Sequence, residues 1–387
     1  MHADAVLQSC LGDALSGMHA LRARVLLGAV AALCRGRRLV LMDLARSWPG
    51  AERVRAPLKR LDRLLGNPYL QAERTRLYAA LMPWLIRQPR PLILIDWSPL
   101  KADGRWQLLR AAVPGPGRSL TLYEEIHPPR LHGAAWVEQR FLHRLHRLLP
   151  AAVQPIVVTD AGFRSPWFCA VAALGWDYVG RIRGRVRVCS SGIWQPAQAL
   201  FAQATTQPRR LAAGQLTARK PWPCQLILVR RSRRGRVDRT LAGSRRRSRA
   251  SRKAAQRGRE PWLLATSLAL PPRRIVALYT RRMQIEEAFR DLKSERFGCG
   301  LELSLTRSAE RLAVLLLLHL LASFVAYLTG LASRAHGRTG HCDPQPSAGR
   351  VRYSVLRLGW EALRRGWPAF KPPELLRVLH HTTAGHA

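Results

Sequence analysis

Apolar residues recur with helical spacing through the first 85 residues of the chain. The segment MHALRARVLLGAVAALCRG predicts a helix that ends at Gly36, and LVLMDLARSWPG predicts a second that ends at its Pro-Gly pair. VRAPLKRLDRLLGNP predicts a third helix, closed by Gly66, from which Arg60 and Arg63 project. Such short helices are compatible with a DNA-binding module, and equally with a helical cap that only packs on its neighbour.

Two later apolar runs each lead into an aspartate. Leu92 to Ile95 predicts a buried strand that ends in Asp96, and Ile156 to Val158 predicts another that is followed by Asp160. An acid at the carboxyl end of an apolar strand lies where open α/β sheets place their chemistry. Either aspartate alone is more often a turn or helix cap than a metal ligand.

Between these strands the pattern predicts an antiparallel pair and a helix. WQLLRAAVP and SLTLYEEIHP alternate as strands and are joined by Gly115-Pro116-Gly117. A helix from about residue 134 to 149 follows. We expect its inward residues to be Trp136, Phe141, Leu145 and Leu148, and its outward residues to be Arg140, Arg144 and Arg147. The order strand, two strands, helix, strand is that of an α/β RNase H-like fold.

The segment from 279 to 293, YTRRMQIEEAFRDLK, holds no Gly or Pro and predicts one continuous helix. At about 100° per residue, one face centred on Glu286 also carries Tyr279, Arg282, Arg290 and Lys293. A neighbouring apolar stripe holds Leu278, Ile285, Phe289 and Leu292, and we expect Glu287 and Asp291 to face solvent. The alternative is a surface helix decorated with ion pairs.

The order and spacing of Tyr279, Arg282, Glu286 and Lys293 resemble the signature of DDE transposases of the insertion-sequence-four family. The string RMQIEEAFRDLKS, and much of the chain around it, is most similar to the transposon-ten branch. The resemblance extends from the RLDRLLGN segment near residue 60 to LRLGWEALRRG near the C-terminus.

This resemblance implies an RNase H-like catalytic domain at residues 86–332, with a β-rich insertion at about 165–270. It implies a helical DNA-binding domain at 1–85 and a helical C-terminal region at 333–387, which pairs two subunits in relatives. Asp96, Asp160 and Glu286 would form the catalytic triad and bind two Mg²⁺ ions, for which Mn²⁺ substitutes. Zinc is disfavoured because no His or Cys accompanies these carboxylates at ligand spacing.

Contacts to DNA are expected as well. Arg282 and Lys293 share a face with Glu286 and so could hold phosphates that flank the scissile one, and Tyr279 could hydrogen-bond one, with Arg164 and Arg290 as further candidates. The resemblance assigns Trp262, in PWLLATSL, to stack on a base that is flipped out near the cleaved end. The sequence pattern by itself makes Trp262 a core residue at the start of a strand.

The net charge is +40, with 64 Lys and Arg against 24 Asp and Glu. Such an excess predicts a polyanion partner, with nucleic acid favoured over an acidic membrane surface. Because 47% of the residues are hydrophobic, the chain is a globular protein rather than a disordered polycation. The Arg-rich segment from 230 to 259 predicts a solvated loop that would order on DNA phosphates.

The segment from Leu312 to Ala332 is long and apolar enough to span a bilayer. It contains His319 and Ser323, and we expect a core helix rather than a membrane span. The seven cysteines form no CxxC pair, which indicates reduced thiols, and no signal peptide is recognisable. We therefore expect a cytoplasmic, nucleoid-associated protein without a membrane partner.

Together these features predict a bacterial cut-and-paste transposase that works through a DNA hairpin intermediate and strand transfer. Its expected partners are double-stranded DNA, as terminal inverted repeats and as target, and a second copy of itself in a homodimeric synaptic complex. Three alternatives stay open: an RNase H-like nuclease without strand transfer, a catalytically inactive domesticated DNA-binding protein, and a basic membrane-associated protein.

Overall fold

The computed structural model describes residues 3–184, 186–231, 244–249, 251–252, 260–342, 353–366 and 370–382. By internal contacts the chain divides into two compact units. Unit 1 comprises Met1–Val153 and Met283–Ala387, and unit 2 comprises Gln154–Arg282. Most of the Arg-rich segment from 230 to 259 lies outside the described residues. The domain boundaries predicted at residues 85 and 332 stay predictions.

Unit 1 begins with the helices that the sequence predicts. The local sequence explains their ends: the side chain of Asn67 accepts a hydrogen bond from the Leu70 N–H at 2.9 Å, and Pro68 occupies the first turn of the helix that follows. On the preceding helix Leu61 and Leu64 are buried, while Arg60 and Arg63 are exposed. The helices are α1 (Ala3–Ser16), α2 (Ala20–Gly36), α3 (Leu41–Arg46), α4 (Arg55–Leu65) and α5 (Pro68–Leu85).

The strands β1 (Leu92–Pro99), β2 (Gln107–Pro114) and β3 (Ser119–His127) form the predicted antiparallel meander. Gly117, with φ of 89°, makes the tight turn between β2 and β3. Asp96 does not end its strand as predicted, because residues 97–99 continue the ladder against β2. Asp96 therefore lies inside β1 and is only 8% exposed.

Helix α6 (Ala135–Leu148) buries Val137, Phe141, Leu142 and Leu145. The prediction that Trp136 faces inward is wrong, since this side chain is 53% exposed. Its neighbours Val137, Phe141 and Leu145 recur every four residues and define the buried stripe, which places Trp136 about 100° away from Val137. Leu148 is half-buried at the end of the helix.

The strands described in unit 2 lie in two sheets. In the first, β4 is parallel to β5, and the neighbours β5–β12, β12–β11 and β11–β8 are antiparallel. The second has the order β10-β9-β6-β7. Its elements are β4 (Ile156–Thr159), α7 (Ser165–Ala173), β5 (Asp177–Ile182), β6 (Arg187–Ser190), β7 (Ile193–Pro196), β8 (Arg209–Leu211), β9 (Gln215–Leu216), β10 (Trp222–Pro223), β11 (Gln225–Val229), β12 (Trp262–Thr266) and α8 (Pro272–Thr280).

The continuous helix predicted from 279 to 293 is broken. Helix α8 ends at Thr280, and α9 (Met283–Lys293) begins after a two-residue turn. The N–H groups of Arg281 and Arg282 donate to carbonyls three residues earlier, both at 3.1 Å, and the Thr280 hydroxyl donates to the Val276 carbonyl at 2.7 Å. Such a hydroxyl contact bends helices, which explains a break that involves neither Gly nor Pro.

Unit 1 ends with α10 (Ala309–Ala335), α11 (Val355–Arg364) and α12 (Pro372–Thr382). By length and composition α10 could cross a membrane, but its most apolar stretch is fully buried. Glycines allow α10 and α11 to cross closely, because a Cβ on Gly330 would lie 1.9 Å from the Val355 carbonyl oxygen. The expectation that this segment is a core helix is confirmed.

Candidate active site

Asp96 belongs to a row of charged residues that runs across the meander of unit 1. Asp96 is paired in register with Arg110 on β2, which is paired with Glu124 on β3. Residues directly opposite one another place their side chains on the same face of a sheet. The Trp97 N–H donates to Asp96 Oδ1 at 2.9 Å, which orients this carboxylate.

Arg110 and Glu124 form a buried ion pair, each side chain being 1% exposed. Arg110 Nε donates to Glu124 Oε2 at 2.8 Å, and the Tyr78 hydroxyl donates to Glu124 Oε1 at 3.2 Å. The Arg110 guanidinium also lies 5.0 Å from the ring centroid of Phe289 on α9. The row of charges is thus covered by the helix that carries Glu286.

Lys293, at the end of α9, reaches the strand that carries Asp96. Its Nζ donates to the Ser98 hydroxyl at 2.6 Å. Burial lowers the pKa of Lys293 to about 8; Arg110 also lowers this pKa, while Glu302 and Asp96 oppose the shift. Lys293 therefore lies in the electrostatic environment of Asp96, as a cation that can be neutralised near physiological pH.

Glu286 lies in the first turn of α9 and is half-buried. The prediction that Glu287 and Asp291 face solvent is wrong: both are partly buried and pair with Arg118. Arg118 Nε lies 2.6 Å from Asp291 Oδ2, and Arg118 Nη2 lies 3.5 Å from Glu287 Oε2. Arg118 reaches them from the turn before β3, a contact that helical spacing cannot reveal.

Arg290 lies one turn after Glu286 on α9 and so shares its side of the helix, as predicted. It forms an ion pair with Glu287 three residues earlier, and its side chain is 51% exposed. Its contact with DNA stays a prediction.

Asp160 follows β4 directly, in unit 2. The Gly162 N–H donates to Asp160 Oδ1 at 2.7 Å, and a Cβ on Gly162 would lie only 2.9 Å from that oxygen. The nearby Arg164 is exposed at the start of α7. This tight turn confirms the predicted position of Asp160 at a strand end.

Tyr279 is 3% exposed, within unit 2. Burial raises the pKa of Tyr279, Arg282 and Arg181 lower it, and Asp160 raises it further. Since Tyr279 lies in α8 and Glu286 in α9, these side chains do not share one helix face as predicted. Arg282 is half-buried, and its guanidinium lies 5.8 Å from the Tyr279 ring centroid.

Trp262 is half-buried at the first residue of β12. Its ring meets Tyr279 edge to face, with centroids 4.8 Å apart and planes at 75°. The Arg231 guanidinium lies 5.1 Å from the Trp262 ring centroid. These contacts join Trp262 to the environment of Tyr279 through aromatic and cation–π interactions.

Sequence reasoning missed the arginines that support Trp262. Arg183 Nε donates to Glu260 Oε2 at 2.9 Å, and Arg181 Nη2 donates to the carbonyls of Glu260 and Pro261 at 3.4 Å each. They fix the residues that immediately precede Trp262. The signal was the alternation of arginines in GRIRG, which places both on one face of β5 or its extension. Arg110 was likewise visible as a lone cation within an apolar strand.

The structure therefore places Asp96, Glu286 and Lys293 in unit 1, and Asp160, Tyr279 and Trp262 in unit 2. Among the described residues no group of three or more His, Cys, Asp or Glu side chains lies close enough together to hold a metal ion. Carboxylate oxygens are nevertheless the donors that Mg²⁺ prefers. The three acids thus have the right chemistry for that ion, and their convergence stays a prediction.

Comparison with known proteins finds a family match over the middle of the chain. Residues 87–324 match the family described as Transposase DDE domain. A structure similar to this one is the cryo-EM structure of the piggyBac transposase synaptic complex with hairpin DNA. That similarity has a TM-score of 0.45 at 11% sequence identity and covers 95% of this chain and 76% of the other. A search of curated proteins found no match.

Proposed function

Because the chain belongs to the Transposase DDE domain family, we propose that it is a cut-and-paste DNA transposase of the insertion-sequence-four type, with an RNase H-like catalytic core. The spacing of Tyr279, Arg282, Glu286 and Lys293 supports this assignment, as does the similarity of the surrounding segment to the transposon-ten branch. The proposed substrates are the terminal inverted repeats of an insertion sequence and a target duplex.

Asp96, Asp160 and Glu286 are the proposed catalytic acids and would hold the metal ions. Two bound Mg²⁺ ions, or Mn²⁺ in their place, would activate the attacking oxygen and stabilise the leaving one during phosphodiester cleavage. The chain's own contribution is to orient the carboxylates. The backbone N–H groups of Trp97 and Gly162 each hold one oxygen of Asp96 and Asp160, respectively.

The contact of Lys293 with β1 is the observation that carries the proposal. The hydrogen bond to Ser98, 195 residues earlier in the chain, brings the last residue of the signature beside the strand of Asp96. The ammonium of this half-buried lysine would hold a phosphate next to the scissile bond, and Arg282 would hold another. On a solvent-exposed helix that only carries ion pairs, this lysine would not form a hydrogen bond with β1.

Trp262 is the proposed stacking partner of a base extruded at the cleaved end. A base extruded from the duplex loses the stacking of its neighbours, and stacking on an indole replaces that interaction. The half-buried ring has its edge contact with Tyr279 and a cation above it, so it is held in one orientation. In this proposal the freed 3′-hydroxyl attacks the phosphodiester of the opposite strand, which joins the two strands in a hairpin and releases the flanking DNA with a 3′-hydroxyl. Water then opens the hairpin, and two copies of the chain act in one synaptic complex.

The test compares two adjacent carboxylates. Glu286→Gln abolishes cleavage of a duplex carrying the flanking inverted repeats while the variant still binds that duplex. Glu287→Gln retains cleavage, because its carboxylate is engaged by Arg118 and Arg290. Cleavage is measured on denaturing gels with Mg²⁺, and binding by mobility shift.

Equal loss of cleavage in both variants would contradict the assignment of Glu286. Nicks without any hairpin or joined product, in the unmodified protein, would support the alternative of a nuclease without strand transfer.

A further inference from the structure

Helix α6 presents a stripe of three arginines together with a histidine and a tryptophan. At about 100° per residue, its five exposed or partly exposed members span roughly 100° of the helix surface. Trp136 is 53% exposed at one end, and the side chain of Arg144 is 41% exposed. The stripe, which we call the α6 stripe, consists of Trp136, Arg140, His143, Arg144 and Arg147.

The α6 stripe carries no acid of its own helix. The single carboxylate of α6, Glu138, is buried and accepts a hydrogen bond from Trp97 Nε1 at 3.0 Å. Glu125 is buried and pairs with Arg144 at 3.0 Å. Within the part of the chain that the structure describes, Arg140 and Arg147 form no ion pair. This differs from α4, where Asp62 lies among the cations and pairs with Arg311 at 2.6 Å.

Trp136 gives the stripe an aromatic end. The Arg140 guanidinium lies 5.0 Å from the Trp136 ring centroid. An arginine that stacks on an indole keeps its N–H edge available for phosphate oxygens and loses less freedom on binding.

A second helix contributes a cation to the same surface. Arg140, Arg144 and Arg147 line a cleft whose wall also includes Arg74 of α5, within unit 1. Its acidic residues are Glu124 and Glu125, which are paired with Arg110 and Arg144, and Glu310 at the start of α10. From Trp136 to Arg147 the helix rises about 16 Å, which is the axial length of about five phosphates of one DNA strand. The number and spacing of these cations suit a polyanionic backbone better than a single small anion.

We propose that the α6 stripe is a sequence-independent binding surface for the phosphate backbone of duplex DNA. The proposal rests on the proposed function, since a transposase holds both an element end and a target duplex. The surface lies on the catalytic part of the sequence rather than on the N-terminal helices. It includes none of the residues assigned to cleavage.

The test is the salt dependence of binding to a random-sequence duplex. The double variant Arg140→Gln/Arg147→Gln is compared with Arg105→Gln/Arg364→Gln, which removes the same charge from side chains that are 53% and 55% exposed elsewhere. We expect the slope of log K against log salt to become shallower by about 1.8 for the stripe variant, since each phosphate contact contributes about 0.9. The control keeps the slope of the unmodified protein.

Equal slopes for the two variants would overturn the proposal, because binding would then follow net charge alone. A tryptophan measurement adds a local readout: DNA-induced fluorescence change is smaller in Trp136→Phe than in the unmodified protein. Binding of the stripe to vesicles containing phosphatidylserine, without a slope change on DNA, would assign the surface to membranes instead. None of these readouts requires cleavage, so the proposal and the proposed function can fail separately.

Discussion

The two units hold their candidate functional residues by different physical means. In unit 1 the row from Asp96 through Arg110 to Glu124 is a charge network, buried in a sheet and covered by Phe289 and Lys293 of α9. In unit 2 the surroundings of Trp262 are aromatic and cationic, held by ring contacts and arginines rather than by a buried acid–base row. The first arrangement suits fixed charges for metal and phosphate, and the second suits a planar base.

The largest effect is expected at the buried pair of unit 1. Glu124→Gln leaves Arg110 buried without its counter-charge and should lower the free energy of unfolding by about 3–5 kcal/mol. The double variant Arg110→Met/Glu124→Leu should recover most of that loss, since no uncompensated charge remains. Denaturant unfolding of both variants measures the difference. If Glu124→Gln were as stable as the unmodified protein, the Arg110–Glu124 ion pair would not stabilise unit 1.

A pH dependence should follow from Lys293. Its pKa of about 8 lies below the ordinary lysine value, so the ammonium charge is present below pH 8 and is lost as the pH rises through that value. A nicking rate that needs this charge should fall about tenfold per pH unit well above pH 8. In Lys293→Arg the decline should move to higher pH, because a guanidinium stays protonated.

The control for this pH profile is Lys59→Arg, at an exposed position on α4. It should leave the profile unchanged. The same profile in the unmodified protein and in Lys293→Arg would show that another group controls the rate.

In unit 2 the corresponding change is Trp262→Ala. It should slow hairpin formation about tenfold while first nicking changes little, because stacking on a base contributes about 1–3 kcal/mol. Trp262→Phe keeps an aromatic face and should retain most of the rate. Single-turnover assays that resolve the two steps provide the measurement. Equal slowing of both steps would show that Trp262 is only a packing residue.

The smallest effect is expected at the pair that supports Trp262. Glu260→Gln removes the partner of Arg183 in a pair whose side chains are 31% and 26% exposed. Its cost to stability should not exceed about 1 kcal/mol. The hairpin step should nevertheless slow more than nicking if this pair positions Trp262. An unchanged ratio of the two rates would assign the pair to stability alone.

The sequence could predict much of the fold because its signals are local. Strand alternation and the Gly-Pro-Gly turn predict the meander, and the apolar run of α10 predicts a buried helix. The break after Thr280 could not be predicted, because it depends on a hydroxyl contact rather than on Gly or Pro. Trp136 was misplaced because α6 buries Val137 and Glu138 in its stead.

In the candidate site, too, only features with a local sequence signal could be predicted. Residue types and spacing point to Asp96, Asp160 and Glu286, whereas the ion pairs of Arg110 and Arg118 depend on strand register and on a turn. Periodicity within one segment contains no information about such pairs. Register between strands is set by the packing of the whole sheet.

The central claim is that three acids from distant parts of the chain bind one pair of divalent ions. A crystal of the protein with its terminal-repeat DNA and Mn²⁺ tests this directly through the anomalous scattering of manganese. The account predicts two peaks coordinated by the carboxylates of Asp96, Asp160 and Glu286, with metals roughly 3.5–4 Å apart. Manganese bound elsewhere, or coordinated without one of these three carboxylates, would contradict it.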